Sequence, residues 1–114
     1  MITTGKAIYD LLKGYTPLTA LVGTKIYPIV IPEDDVFPVV VYQRSFENTQ
    51  TKDGLANSKS TVTITVLSKL YKQSIDISTA CHDALKAEAK LMSGTEDYAD
   101  GIFAQVLIFE YWSA

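Results

Sequence analysis

The sequence predicts an α+β fold: an antiparallel or mixed sheet of about four strands with a long projecting β-hairpin, and two main helices packed on one face. Three observations carry this. Apolar residues recur at helical spacing near the start and again over Tyr71–Lys90. Two β-rich stretches flank a polar segment that holds the turn dipeptide Asp53-Gly54. A last β-rich stretch, Ile102–Trp112, lies almost at the end. Helix, short helix, strand, hairpin, helix, strand is the order of an α+β domain with its helices on one side of the sheet. A chain of 114 residues suits one domain with one core, residues 1–114.

Thr3 or Thr4 caps the first helix, in which Ala7, Ile8, Leu11 and Leu12 face inward and Lys6, Asp10 and Lys13 outward. Gly14 ends it. Thr16-Pro17 reads as an N-cap followed by proline at the first helical position, opening a short helix with Leu18, Leu21 and Val22 that Gly23 closes. Ile26 and Tyr27 suit a brief strand, and Pro28 and Pro32 bar a long central one. Glu33-Asp34-Asp35 is an acidic turn.

The stretch Phe37-Pro38-Val39-Val40-Val41-Tyr42-Gln43-Arg44-Ser45-Phe46 organises the rest. Proline lacks the N–H that a ladder needs and fits best at a strand's first residue. Val39 to Tyr42 has no polar break, so both faces are covered near the start. From Gln43 the run turns amphipathic, and by Asn48 it has left the core. After a polar dozen, Glu47–Ser58, Lys59–Leu67 alternates, with Val62, Ile64 and Val66 on one face and Thr61, Thr63 and Thr65 on the other. The two strands form a long hairpin whose tip has no apolar anchor.

Tyr71–Lys90 is the main helix, with Ile77, Cys81, Ala84 and Leu85 as its buried stripe, and Ser93-Gly94 stops it. Thr95–Gly101 is read as an acidic loop. In the last strand Ala104, Val106 and Ile108 face one way and Phe103, Leu107, Phe109 and Tyr111 the other. Both faces are apolar, so this strand is central or doubly covered.

The composition argues against most chemistry. Net charge is −3, and the cations stand singly, against the clustered basic face that phosphate backbones require. The single cysteine, Cys81, forms no intrachain disulfide and fits a reducing compartment. Cys81 and the lone histidine, His82, point about 100° apart on a helix, which suits neither a metal site nor a Cys–His pair; a core cysteine and a solvated histidine are the plain reading. No glycine-rich phosphate loop occurs. Glu33-Asp34-Asp35 and Glu96, Asp97 and Asp100 lack EF-hand spacing and read as solvated turns. Seven tyrosines and Trp112 invite base stacking, but Tyr27, Tyr42 and Tyr111 sit in apolar strands and pack there. No cofactor is expected. The start of the chain lacks a signal peptide's apolar core, and no apolar run nears the ~20 residues that cross a bilayer. This suggests a soluble protein made in a cytoplasm.

Leu21-Val22-Gly23-Thr24-Lys25-Ile26-Tyr27-Pro28, then Pro32, then Phe37-Pro38-Val39-Val40-Val41-Tyr42-Gln43, resembles the phage tail-completion family. These are the small tail-to-head joining and tail-terminator proteins of long-tailed bacteriophages and prophages. The family's order of a helix ending in Leu-x-Gly, a Lys-Ile-Tyr-Pro segment and a proline-led strand extends here through the polar loop, the Thr/Val strand and the amphipathic helix. The departure is Ser93–Gly101, brief where relatives often carry a longer strand pair.

The resemblance implies assembly without catalysis: a ring, often hexameric, at the head-proximal end of the tail tube. The ring would complete the tail and join it to the head connector, with DNA passing through its lumen unbound. Implied partners are further copies of the chain, the tail tube protein and the head–tail connector proteins. The implied location is the virion tail, after synthesis in the bacterial host's cytoplasm, with no membrane contact. A net acidic protein would not hold DNA in transit, and a projecting hairpin suits head-to-tail contacts. Candidate subunit-interface residues are therefore Arg44, Phe46, Glu47, Thr49, Lys52, Leu55 and Asn57, within a tip, 47–58, expected to reach a neighbouring subunit or the tube. Two other readings compete: a bacterial protein-binding module without a virion role, and a small enzyme built on Tyr42, Arg44 and Asp83.

Overall fold

The computed structural model describes the backbone of residues 4–29, 37–50 and 56–113, and the side chains of residues 6–29, 37–45 and 60–111. The chain runs α1 (Thr4–Lys13), α2 (Thr16–Val22), β1 (Ile26–Pro28), β2 (Val39–Gln50), β3 (Ala56–Ser68), α3 (Tyr71–Leu85), β4 (Ala89–Ala99) and β5 (Ile102–Ser113). The strands form one sheet in the order β1-β2-β3-β5-β4. Among the described residues β1 and β2 alone pair in parallel, so the sheet is mixed.

The core follows from alternation. Val40, Val66 and Gln105 lie opposite one another across β2, β3 and β5, as do Tyr42, Ile64 and Leu107, then Arg44, Val62 and Phe109. This face meets the helices: Ile8 and Leu12 of α1, Leu18 and Val22 of α2, and Ile77, Cys81 and Leu85 of α3 join Val40, Val62, Ile64, Val66 and Phe109 in one buried cluster. Each such aliphatic or aromatic side chain stabilises the fold by about 1.5–3 kcal/mol on burial. Phe109 is the largest of the fully buried side chains. Alternate residues point the other way, and among the described residues no helix covers them. That bare face carries Val41, Gln43 and Ser45 of β2, Thr61, Thr63 and Thr65 of β3, and Ala104, Val106 and Ile108 of β5.

Helix boundaries follow local chemistry. The first residue of α2 is Thr16 rather than Pro17, with Tyr15 as its N-cap and no side-chain cap bond. Proline fits within this first turn because its missing N–H has no intrahelical partner there. At the start of α3, the Ser68 hydroxyl accepts from the Leu70 N–H at 3.1 Å and donates to Gln73 Oε1 at 2.7 Å.

The C-terminal third differs from expectation. The main helix ends at Leu85, not Lys90. One turn on, the buried stripe would meet Glu88, and burying that carboxylate outweighs the good helix propensity of Lys86-Ala87-Glu88. Thr95–Gly101 is no loop: Ala89–Ala99 forms β4, pairing antiparallel with β5 from Ala89–Tyr111 to Ala99–Ile102, with one bulge between Leu91 and Ser93. The described sheet therefore has five strands rather than about four, and the strand pair that relatives often carry at this end is present. A two-residue turn closes it, Asp100 at φ +54° and Gly101 at φ +81°. Positive φ at both central residues is the type I′ hairpin geometry that Asp-Gly favours. β5 is central, between β3 and β4, and among the described residues helices cover one face only.

Candidate functional site

The hairpin of β2 and β3 gives the molecule its reach. Their ladder is unbroken from Val39–Leu67 to Gln50–Ala56. Ser60 is the last buried position described along β3. Beyond it the ladder continues over four more residues of β3, to Ala56, roughly 13 Å at about 3.3 Å per residue. The molecule is correspondingly elongated, 51 × 27 × 24 Å.

The arm is not two strands alone. β5 pairs with β3 through Ser60–Tyr111, Lys59–Trp112 and Ser58–Ser113. Only the pairs Thr49–Asn57 and Gln50–Ala56 lie past this third strand. A lone two-stranded hairpin is marginal in water and a third strand steadies it.

Most of the candidate interface residues fall on this arm. Arg44 is half-buried on the helix-side face of β2, opposite Val62. Along the arm the register sets Phe46 opposite Ser60, Glu47 opposite Lys59 and Thr49 opposite Asn57, so oppositely charged residue types face each other across the strands. Lys52 and Leu55 lie outside the described residues, as do the turn Asp53-Gly54, the acidic turn 33–35 and Pro32.

A second feature, missed from the sequence, lies at the opposite rim. Tyr71 of α3, Glu96, Asp97 and Tyr98 of β4, and Phe103 and Gln105 of β5 line an open cleft of about 410 Å³. Phe103 packs edge-on to Tyr71 at 5.4 Å and against Tyr98 at 4.6 Å between ring centroids. The buried Gln105 donates from Nε2 to Glu96 Oε2 at 2.7 Å and to Ser74 Oγ at 3.3 Å. Hydrogen bonds from Tyr71 and then Gln105 hold the Glu96 carboxyl below its ordinary range, while the Glu96 bond and then burial push the Tyr71 phenol up. The cleft exists because 95–99 is strand, so the loop reading hid it.

Two residues of the enzyme reading, Tyr42 and Asp83, have structural contacts of their own. Tyr42 lies against Tyr9 of α1 at 6.0 Å between centroids, its phenol raised by burial first and then by Tyr9 and Asp10. Asp83 pairs along its own helix with Lys86 at 3.5 Å. Cys81 is buried, its thiol pushed up to about 12 by desolvation. His82, expected to be solvated, is half-buried with its ring stacked on Phe109 at 6.2 Å. Among the described residues no three His, Cys, Asp or Glu side chains gather to hold a metal, and no helix is long and apolar enough to cross a membrane. Lys6 and Lys72 pair with Asp10 and Asp76 one turn on, at 3.1 and 3.3 Å, and form no basic groove.

The family model for "Tail completion protein gp17" matches residues 6–96. A chain in a solved structure titled "Virion of native gene transfer agent (GTA) particle" has the same fold, with a TM-score of 0.80 at 20% identity over 92% of this chain and 90% of that one. Among curated proteins no match was found.

Proposed function

This chain belongs to the tail completion protein gp17 family, and from that we propose that it forms a ring at the head-proximal end of a phage or prophage tail tube, completing the tail and joining it to the head connector. Its structural role in a phage-like tail follows from the family; the ring and the joining are our reading. The observation that carries that reading is the braced arm, which runs past the last described buried position with its backbone ladder intact. An arm of this kind gives a protomer a surface unlike its opposite side, as head-to-tail closure requires. Its contacts in the ring would come from Arg44, Phe46, Glu47, Thr49, Lys52, Leu55 and Asn57. The partners in this reading are copies of the chain, the tube protein and the connector.

The bare face supports a lumen through which DNA slides. Its described positions on β2 to β5 carry two cations, Lys59 and Lys90, each set opposite an acid, Glu47 and Glu110, and one further acid, Asp97. Threonine, serine and valine fill most of the rest, so little there would hold phosphate. No reaction is part of this role.

The test is an arm swap in the phage that encodes the chain. Replacing residues 48–58 with Asn-Gly closes the ladder at the Glu47–Lys59 pair. The variant should fold, remain monomeric and leave tails that do not join heads. Normal rings and infectious particles from the variant would overturn the reading.

A further inference from the structure

The sheet ends in two unlike rims. At one, β1 covers the outer side of β2 only from Val40 to Tyr42. The Val40 N–H donates to the Lys25 carbonyl at 3.0 Å, and the Ile29 N–H donates to the Tyr42 carbonyl at 2.9 Å. Even-numbered residues of β2 thus aim their backbone groups outward. By the same alternation Phe46, Asn48 and Gln50 do so farther along, and among the described residues no strand pairs them there.

At the other rim, β4 bonds β5 on its inner side and no strand on its outer side among the described residues. Natural edges are blunted by proline, short length, charge or bulges. β4 spans 11 residues without proline, has one bulge, and is exposed from Lys90 to Ala99. Leu91 and Met92 are 39% and 51% exposed beside that bulge.

Two facts select what fits. Each step from β2 to β3 to β5 to β4 is antiparallel, so β4 runs opposite to β2. Copies related by rotation about an axis along the strands keep that sense, so β2 of one copy would run antiparallel beside β4 of the next. The charge order agrees. β2 carries Arg44 and then Glu47; β4 carries Lys90 and then Glu96 and Asp97. Antiparallel alignment turns Arg44 toward the acids and Glu47 toward Lys90, whereas parallel alignment would juxtapose like charges.

We infer that the outer rim of β2, Phe46–Gln50, in one copy adds as a strand to the outer rim of β4 in the next, joining the sheets of neighbouring protomers. This rests on the ring reading above. The pairing closes the long edge of β4 and occupies both rims with a single contact.

The test uses full-length chain in assembled tails. Cys81 is buried with its thiol pushed up to about 12, so it stays silent toward maleimides. Ser45→Cys, Thr95→Cys and the double variant, whose positions share the bare face when Arg44 lies opposite Glu96, are treated with a short flexible bis-maleimide, which tolerates a small slip of register. Thr49→Cys and Ser93→Cys, again on one face, replace the pair if either substitution blocks assembly. The double variant should give a ladder of linked chains up to the ring. A mixture of the two single variants should stop at dimers, and each alone should give none. Dimers from Thr95→Cys alone would overturn the proposal in favour of a two-fold β4–β4 contact. No links in a sample whose mass shows a homo-oligomer would sink the strand pairing and leave the ring standing. Mass showing one copy per tail would sink the ring, and the pairing with it.

Discussion

Gln105 reaches from the buried face of β5 to the Glu96 carboxylate on the edge strand, Nε2 to Oε2 at 2.7 Å. The donor is buried and the acceptor exposed, so this contact ties the outermost strand to the core. Tyr71 bonds the same carboxylate from the start of α3.

Glu96 therefore makes the β4 rim sensitive to acid. Its folded pKa lies below its unfolded value, near about 4.3, because Tyr71 and then Gln105 favour the charged form. The stabilisation is present above the unfolded pKa and is lost as pH falls through the folded one. In Tyr71→Phe the Glu96 carboxyl should titrate closer to the ordinary range by NMR. The stability gap between the two proteins should be open at neutral pH and close in acid. A gap that stays constant from pH 7 to pH 3 would count against the contact.

Phe109 is fully buried under α3, with His82 stacked on it. Phe109→Ala should cost about 3–5 kcal/mol, since the cavity adds to the lost transfer energy. Denaturant unfolding measures it, with the midpoint falling at nearly constant slope.

Gly101 sits at φ +81° in the turn between β4 and β5. A Cβ there would meet no neighbouring atom within 4 Å. The strain in Gly101→Ala is thus one of backbone conformation alone, and should cost about 1–2 kcal/mol by thermal or chemical unfolding.

The arm's bracing has its own test. Ending the chain after Tyr111 removes the positions opposite Lys59 and Ser58. The core should remain folded while amide exchange quickens in 56–60, by an order of magnitude for each ~1.4 kcal/mol of lost protection. Unchanged exchange would mean the third strand does not steady the arm.

Much of this was legible because apolar period tracks burial. Val62, Ile64 and Val66 alternate and are buried; Ile77, Cys81 and Leu85 follow helical spacing and are buried. β4 was not legible because an edge strand exposed on both faces needs no alternation, and Leu91-Met92-Ser93-Gly94-Thr95-Glu96 shows none. One signal was there: Asp100-Gly101 is the same dipeptide as Asp53-Gly54, and it lies between what prove to be strands of 11 and 12 residues. The Tyr71–Glu96–Gln105 contact was hidden in turn, because it forms only once β4 is in place. For the interface candidates the sequence showed polarity, while the ladder shows which positions pair.

β5 is hydrogen-bonded on both sides, to β3 and to β4, for most of its length. A tug along the arm would therefore load many ladder bonds in shear together, where a strand attached at one end would peel away bond by bond. Stretched from the arm, the protein should resist abruptly and yield in one event, a mechanical character suited to a structural part of a phage tail.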